Sequence, residues 1–316
     1  MQVIEHVRKT LHATSIGHEA LIERLLIALL TGGHVLLEGP PGVAKTRTIK
    51  RFAAALGTRF VRIQATPDLL PADLTGTDVH QGQGEFRFLP GPLFNHIVLV
   101  DEVNRTPPKV QSALLEAMGE HQISTGGVTR QLEEPFLVAA TQNPLEHEGT
   151  YPLPEAQLDR FMFQVNLTLP GADIERQILD LVLTESDPSH ASANTNVIAD
   201  THTLLRAREQ VSSIHVSSAV RDYIVRIVLA TRGIGAGGSA AADIVQAASP
   251  RASIALANGA RARAWMAGRD HALPEDIERL ASDVLAHRIG LDYRARAEGV
   301  QSRDCIAAIL DRTPRV

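Results

Sequence analysis

A glycine-rich segment that ends in lysine and threonine is the strongest chemical signal in the sequence. Residues 39–46 read Gly-Pro-Pro-Gly-Val-Ala-Lys-Thr and follow a short apolar run at 34–38. Glycines let backbone N–H groups curl around phosphate oxygens, and the start of the following helix adds partial positive charge. The spacing is that of the Walker A motif, Gly-x-x-x-x-Gly-Lys-[Ser/Thr]. The predicted nucleotide-binding residues are Gly39, Pro41, Gly42, Val43, Ala44, Lys45 and Thr46.

Three positions of this segment carry distinct expectations. Lys45 supplies a full charge to the β and γ phosphates of ATP, and the Thr46 hydroxyl is the natural ligand for Mg²⁺. Ala44 replaces the last glycine of the pattern. Because alanine is the smallest replacement, we expect Ala44 to keep a right-handed backbone and the loop to tolerate it. The alternative interpretation is a glycine-rich turn from strand to helix with an incidental lysine.

A second signal lies about fifty residues further on, where the apolar run 97–100 ends in Asp101 and Glu102. This is the form of a Walker B motif, which is weak alone and strong when paired with a phosphate loop. Asp101 is expected to hold the Mg²⁺ shell, and Glu102 to polarise the attacking water as general base. Glu102 distinguishes a hydrolase from a nucleotide switch.

A third polar position follows the apolar run 136–141. Asn143 comes directly before a proline, at the end of a predicted strand. Because ligands gather at the carboxyl ends of parallel strands, this amide is a candidate for orienting the water near the γ phosphate. An ordinary Asn-Pro turn is the alternative.

The elements that must position these residues follow an alternating pattern in the first half of the chain. Short apolar runs at 34–38, 59–64, 96–100, 136–141 and 161–167 predict strands that are buried on both faces of a parallel sheet. Helical patterns lie between them, which is typical of an α/β fold. Segments 78–88 and 122–132 predict hairpins.

The second half of the chain has a different pattern. Helices are predicted at 173–184, 197–211, 217–232, 250–267 and 274–289, and no strand is predicted there. We therefore expect a P-loop α/β domain with a parallel five-stranded sheet over residues 1–170. An all-helical lid domain is expected over residues 171–316.

Composition limits the other possibilities. The 316 residues are 44% hydrophobic and 21% charged, and the net charge of −5 argues against non-specific nucleic-acid binding. The single Cys305 cannot form an intrachain disulfide. The N-terminus lacks a signal-peptide pattern, and the apolar run 25–30 is too short to span a bilayer. We expect a cytoplasmic protein.

Longer stretches resemble the MoxR group of AAA+ ATPases. They read RIQATPDLLPAD at 62–73, DEVNRTPPKVQSALLEAM at 101–118, ATQNP at 140–144 and LPEAQLDRF at 153–161. Together with the phosphate loop they cover most of residues 34–165. The helical half matches more loosely, through SPRA at 249–252 and the run around 287–288.

The resemblance implies further site residues. Asn143 resembles the sensor 1 residue, and Arg160 resembles an arginine finger that acts on the nucleotide of a neighbouring subunit. Arg251 resembles the sensor 2 residue, which reaches from the lid to the γ phosphate. Ala247 stands where the family pattern has glycine, and Arg105 is a second candidate for an interface role. The alternative for Arg160 is a plain salt bridge at the start of a strand.

The resemblance also implies an activity: Mg²⁺-dependent ATP hydrolysis by a ring, expected to be a hexamer, that remodels or matures partner proteins. In this family the partner often has a von Willebrand factor A domain, and the two hairpins resemble elements that face the ring's pore. A chelatase-type or nucleic-acid-associated motor is the alternative. The hairpins carry only Arg87 and Arg130 as basic residues, which favours a protein client. A third hypothesis is a nucleotide-gated scaffold with little turnover.

Overall fold

The computed structural model describes residues 2–80, 86–142, 150–185 and 197–315. It divides into two compact units, each assembled from separate stretches of the chain. The sheet unit comprises Gln2–Leu153 and Val165–Leu205, and the helical unit comprises Pro154–Gln164 and Arg206–Val316. A single domain boundary near residue 170 stays a prediction, because these units are grouped by packing rather than by continuity along the chain.

The first half of the chain alternates strands and helices. In chain order the elements are α1 (Gln2–Thr14), α2 (Glu19–Thr31), β1 (Val35–Glu38), α3 (Lys45–Ala55), β2 (Phe60–Gln64), α4 (Pro71–Thr75), β3 (Gly76–His80), β4 (Phe86–Pro90), β5 (Ile97–Asp101), α5 (Pro108–Glu120), β6 (Gln122–Thr125), β7 (Val128–Gln131), β8 (Leu137–Gln142), α6 (Glu155–Leu158) and β9 (Phe163–Asn166).

Five of these strands form the sheet, in the order β2-β5-β8-β1-β9. Three neighbouring pairs in this order are parallel: β2 with β5, β5 with β8, and β8 with β1. Strands β5 and β8 are buried along almost their whole length, as expected of apolar runs that are covered on both faces. The five predicted strands are confirmed within two residues at each end. Their parallel pairing brings the carboxyl ends of β1, β2, β5 and β8 to one edge.

Both predicted hairpins are confirmed. β3 pairs with β4, and β6 pairs with β7, in antiparallel register. The turn of the second hairpin is Gly126-Gly127, whose φ values of 60° and 76° are those of a two-residue turn that glycine adopts without strain. The turn of the first, at 81–85, lies outside the described residues.

The second half of the chain is mainly helical. Its elements are α7 (Ala172–Glu185), α8 (Thr201–Ser212), α9 (Ser218–Ala230), β10 (Ile244–Gln246), α10 (Pro250–Met266), α11 (Pro274–Leu285), β11 (Gly290–Leu291), α12 (Tyr293–Ala297) and α13 (Ser302–Arg312). The five predicted helices are confirmed. The sequence pattern missed α12 and α13, as well as the short antiparallel pair β10–β11, whose strands of three and two residues are too short to show a period.

No helix within the described ranges combines the length and the apolar character that a membrane crossing requires.

Candidate active site

The sheet unit contains a cleft of about 460 Å³ at the carboxyl ends of its strands. All seven predicted residues of the phosphate loop line this cleft, and so do Asp101 and Glu102. Two segments that are more than fifty residues apart in the sequence therefore meet at one site, as the parallel sheet requires. Residues that the motif analysis did not select also line the cleft: Arg47, Arg62, Gln64 and Thr141.

The backbone of Ala44, in the phosphate loop, differs from the conformation expected from the sequence. Ala44 has φ 53° and ψ 25°, so it lies in the left-handed region, and the prediction of a right-handed Ala44 was wrong. This conformation costs a non-glycine residue about 1 kcal/mol. Ala44 nevertheless accepts the amide of Thr48 at 3.1 Å, which places the loop at the first turn of α3. The strain is local, and the helix that follows the loop is intact.

Lys45 is held at the mouth of the loop. Its Nζ donates to the carbonyl of Gly39 at 2.8 Å. Burial lowers the pKa of Lys45, and the nearby carboxylates of Asp101 and Glu102 oppose that shift. The ammonium thus lies between the backbone that can cradle a phosphate and the two acids at the end of β5.

Thr46 and Asp101 are arranged as a cation site requires. The Thr46 hydroxyl Oγ1 lies 3.5 Å from Asp101 Oδ2, and Asp101 is buried. Thr141 donates its hydroxyl to the other carboxylate oxygen, Oδ1, at 3.3 Å, which fixes the orientation of Asp101. A hydroxyl and a carboxylate are hard oxygen donors, and Mg²⁺ commonly takes one or two such protein ligands and completes its shell with phosphate and water. The residues present therefore fit this metal.

Glu102 has an unusual backbone and several polar neighbours. Its φ of 59° places it in the left-handed region, and its amide donates to Thr141 Oγ1 at 2.8 Å. The carboxylate oxygen Oε2 accepts from Gln64 Nε2 at 3.4 Å and lies 3.1 Å from Arg105 Nε. Thr141 therefore positions Asp101 and Glu102 together. No motif pointed to Thr141, although its position at the end of an apolar run was a usable signal.

Arg62 and Gln64 reach the cleft from β2. Residues two apart on a strand share a face, and the parallel register sets Gln64 beside Asp101. Arg62 Nε donates to Asp101 Oδ2 at 2.5 Å, and its Nη2 donates to Gln64 Oε1 at 3.1 Å. Sequence reasoning passed over both residues because their partners are nearly forty positions away.

Asn143 lies outside the described residues, in the segment 143–149, so its predicted role stays a prediction. The strand that leads to it, β8, ends at Gln142 beside the cleft residue Thr141.

Arg160 and Arg251 belong to the helical unit, where Asp159 connects their segments. Arg160 directly follows Asp159 and donates its amide to the carbonyl of Gln157 at 3.1 Å. The Arg251 Nη1 lies 3.4 Å from Asp159 Oδ2, and Ser249 Oγ donates to the same carboxylate at 2.9 Å. Ser249 also caps α10 by accepting the amide of Arg251 at 3.1 Å. The two predicted arginines thus lie on segments that share one carboxylate.

Arg288, in the turn after α11, also contacts Asp159. Its buried guanidinium donates to the Asp159 carboxylate at 2.9 Å, and to the backbone carbonyls of Asp159, Phe161, Met162 and Val284. The carbonyls on both sides of Arg160 are therefore held. The sequence showed only a loose family resemblance at 287–288, and no spacing rule would reveal this contact.

His287 supports the same backbone. Its Nε2–H donates to the carbonyl of Phe161 at 2.8 Å. Burial, reinforced by the neighbouring cation of Arg288, holds the pKa of His287 well below its usual value. The imidazole is consequently neutral at neutral pH.

Known proteins share this architecture. The model of the ATPase family associated with various cellular activities (AAA) matches residues 34–163, and the AAA lid domain model matches residues 239–309. Chaperone MoxR1 of Mycobacterium tuberculosis is 45% identical over 298 residues, which is 93% of this chain and 78% of that protein. Protein MoxR of Paracoccus denitrificans is 32% identical over 306 residues, which is 92% of this chain and 90% of that protein.

A solved structure agrees over the full length. A crystal structure of a protein from Cytophaga hutchinsonii superposes with a TM-score of 0.90 at 42% sequence identity, covering 100% of this chain and 95% of that one. The likeness includes the α/β sheet and the helices that follow it.

Proposed function

The chain belongs to the MoxR family of AAA+ ATPases, and from that premise we propose that it hydrolyses ATP with Mg²⁺ at the described cleft. The observation that carries the proposal is the convergence of Lys45, Thr46, Asp101 and Glu102 in one cleft. A phosphate-binding lysine, two ligands for a cation and a carboxylate base are the groups that phosphoryl transfer to water needs.

Each group has a distinct task in this proposal. The loop amides and Lys45 hold the phosphates, and Thr46 with Asp101 holds the metal. Mg²⁺ supplies neutralisation of the charge that develops on the phosphate oxygens. Glu102 accepts a proton from the attacking water, and its Oε2 lies 3.4 Å from Gln64 Nε2 and 3.1 Å from Arg105 Nε. Asn143 orients that water.

The second part of the proposal is assembly. Arg160 acts as an arginine finger on the nucleotide of a neighbouring copy, and Arg251 senses the γ phosphate from the lid. A planar guanidinium suits the spread charge of a phosphoryl group better than an ammonium does. A head-to-tail interface of this kind closes into a ring, and we propose a hexamer. The buried contacts of Arg288 support the finger role, because they hold the carbonyls on both sides of Arg160.

The family membership supports a chaperone-like role, and we propose a protein client, with a von Willebrand factor A domain as the partner to test first. The hairpins favour this choice over a nucleic acid. Arg130 stacks on the ring of Phe88 at 3.7 Å and lies 3.7 Å from Asp78, so its charge is already engaged. The same hairpins expose the apolar side chains of Phe86 and Leu89. A chelatase-type or nucleic-acid motor remains the alternative, and we propose a cytoplasmic location.

The test of this function is Glu102→Gln. Removing the proton acceptor should lower the ATP turnover rate at least about 100-fold, while ATP binding is retained. Binding is measured with a fluorescent ATP analogue, and turnover by phosphate release. Glu120→Gln is the matched control, because Glu120 is an exposed carboxylate of the same unit whose side chain contacts Gln122. Turnover by Glu102→Gln at the rate of the unmodified chain would overturn the assignment of the base.

A further inference from the structure

The oxygen Oδ2 of Asp101 faces both the guanidinium of Arg62 and the proposed metal site beside Thr46. Arg62 Nε lies 2.5 Å from Asp101 Oδ2, and the Thr46 hydroxyl faces the same oxygen from 3.5 Å. A divalent cation that is shared by Thr46 and Asp101 needs this oxygen. The guanidinium and the cation cannot both use it at short range, because their like charges repel. Binding of one therefore displaces the other.

Arg62 also reaches Glu102 indirectly. Its Nη2 donates to Gln64 Oε1 at 3.1 Å, and Gln64 Nε2 donates to Glu102 Oε2 at 3.4 Å. The orientation of the Gln64 amide is dictated by its neighbours, since a guanidinium only donates and a carboxylate only accepts hydrogen bonds. A continuous path of hydrogen bonds thus runs from Asp101 through Arg62 and Gln64 to Glu102.

We propose that Arg62 is a positioning residue that occupies Asp101 Oδ2 until the metal takes that oxygen, and that links the metal site to Gln64. Metal binding at Asp101 displaces the Arg62 guanidinium, and the bond from Arg62 to Gln64 is lost with it. Gln64 Oε1 then loses its hydrogen bond from Arg62, and the hydrogen bond from Gln64 Nε2 to Glu102 weakens. Glu102 Oε2 keeps its contact with Arg105 Nε at 3.1 Å, so the exchange at Asp101 changes the polar surroundings of Glu102 without freeing the carboxylate. This inference rests on the proposed ATPase function.

The exposure of the pair makes the exchange feasible. The Arg62 side chain is 52% exposed, whereas that of Asp101 is 10% exposed. The displaced guanidinium can enter water without the penalty that a buried cation would incur, and an exposed ion pair contributes little to stability. Asp101 stays where Thr141 holds it. The geometry therefore combines a fixed carboxylate with a removable cation.

Lysine cannot replace arginine in this role. The planar fork of Arg62 lets one nitrogen contact Asp101 while another contacts Gln64. A lysine ammonium keeps the charge near Asp101 but lacks the second, rigidly placed donor. Arg62→Lys therefore keeps the competition with the metal for Asp101 and removes the hydrogen bond to Gln64.

The test is a Mg²⁺ titration of ADP binding, which needs no turnover. The midpoint Mg²⁺ concentration is read from a fluorescent ADP analogue. It is measured for the unmodified chain, for Arg62→Gln and Gln64→Ala alone and combined, and for Arg62→Lys with and without Gln64→Ala. Arg62→Gln should lower the midpoint about two- to fivefold, since the competing cation is gone. Gln64→Ala should lower it about twofold by removing one anchor of Arg62, and this effect should vanish in the double variant and in Arg62→Lys.

Arg59→Gln is the matched control, because Arg59 is a similarly exposed arginine beside β2 that pairs with Glu133 instead. Its midpoint should equal that of the unmodified chain. An unchanged midpoint in Arg62→Gln overturns the competition, and a Gln64→Ala effect that persists in the double variant overturns the path through Arg62. If the unmodified chain binds no ADP at any Mg²⁺ concentration, the proposed function fails instead, so the two failures are distinguishable.

Discussion

Two arginine–aspartate pairs, one in each unit, have similar lengths and opposite surroundings. Arg62 lies 2.5 Å from Asp101 with 52% of its side chain exposed, whereas Arg288 lies 2.9 Å from Asp159 with 3% exposed. Arg62 has one further acceptor in Gln64, but Arg288 also donates to four backbone carbonyls. We therefore infer that the Arg62–Asp101 pair can separate, because water can receive the guanidinium, and that the buried Arg288–Asp159 pair cannot.

Burial explains why the second pair is a fixed part of the fold. Burial lowers the pKa of Arg288, and the adjacent Asp159 carboxylate opposes that shift. Arginine stays charged in proteins, so the cation must keep its partners or leave a buried charge uncompensated. In the helical unit this requirement fixes the backbone around Arg160.

Replacing each arginine by methionine tests this difference with the largest expected effect. Arg288→Met leaves Asp159 and several buried carbonyls without their donor, so the free energy of unfolding should fall by about 3–5 kcal/mol. Arg62→Met should change it by less than about 1 kcal/mol. Urea denaturation followed by circular dichroism measures both. Equal losses in the two variants would show that burial does not separate the pairs.

Protonation of His287 tests the helical unit with a smaller effect. The imidazole is neutral in the folded chain, but it takes up a proton in the unfolded chain below about pH 6.5. Its contribution to stability is therefore complete above that pH and is lost as the pH falls, by up to about 1.4 kcal/mol per pH unit until the lower folded pKa is reached.

The measurement uses urea denaturation between pH 7.5 and 5.5, followed by fluorescence of Trp265, the chain's single tryptophan, which lies in α10. His287→Asn should reduce the pH dependence; a smaller slope remains, because burial also lowers the pKa of His18 and of His96. His271→Asn removes an imidazole that is 54% exposed and should keep the slope of the unmodified chain. A slope in His287→Asn equal to that of the unmodified chain would place the protonation elsewhere.

Contiguous motifs made part of the site predictable. The phosphate loop and the acids at 101–102 are local patterns, and each strand that carries them is a short apolar run whose burial follows from composition. Parallel pairing then brings Lys45, Asp101 and Glu102 together without further information.

The remaining site residues depend on register and tertiary packing, which sequence spacing does not encode. Arg62 and Gln64 become partners of the acids only because β2 pairs with β5. Thr141 enters through the next strand, β8, and Arg288 through the turn that follows α11, far along the chain. The left-handed backbone of Ala44 was mispredicted because the loop geometry overrides the residue's own preference.

In the proposed assembly, the neighbouring chain completes each active site, and mixing two inactive variants tests this most directly. Glu102→Gln lacks the base but keeps Arg160, while Arg160→Ala lacks the finger but keeps Glu102. Each alone should hydrolyse ATP at least about 100-fold more slowly than the unmodified chain.

In a 1:1 mixture that assembles at random, roughly a quarter of the interfaces pair an intact base with an intact finger. The predicted result is ATP hydrolysis at roughly a quarter of the rate of the unmodified chain, measured by phosphate release. A mixture that stays as inactive as its two components, or an Arg160→Ala chain that is fully active alone, would contradict an active site shared between neighbouring chains.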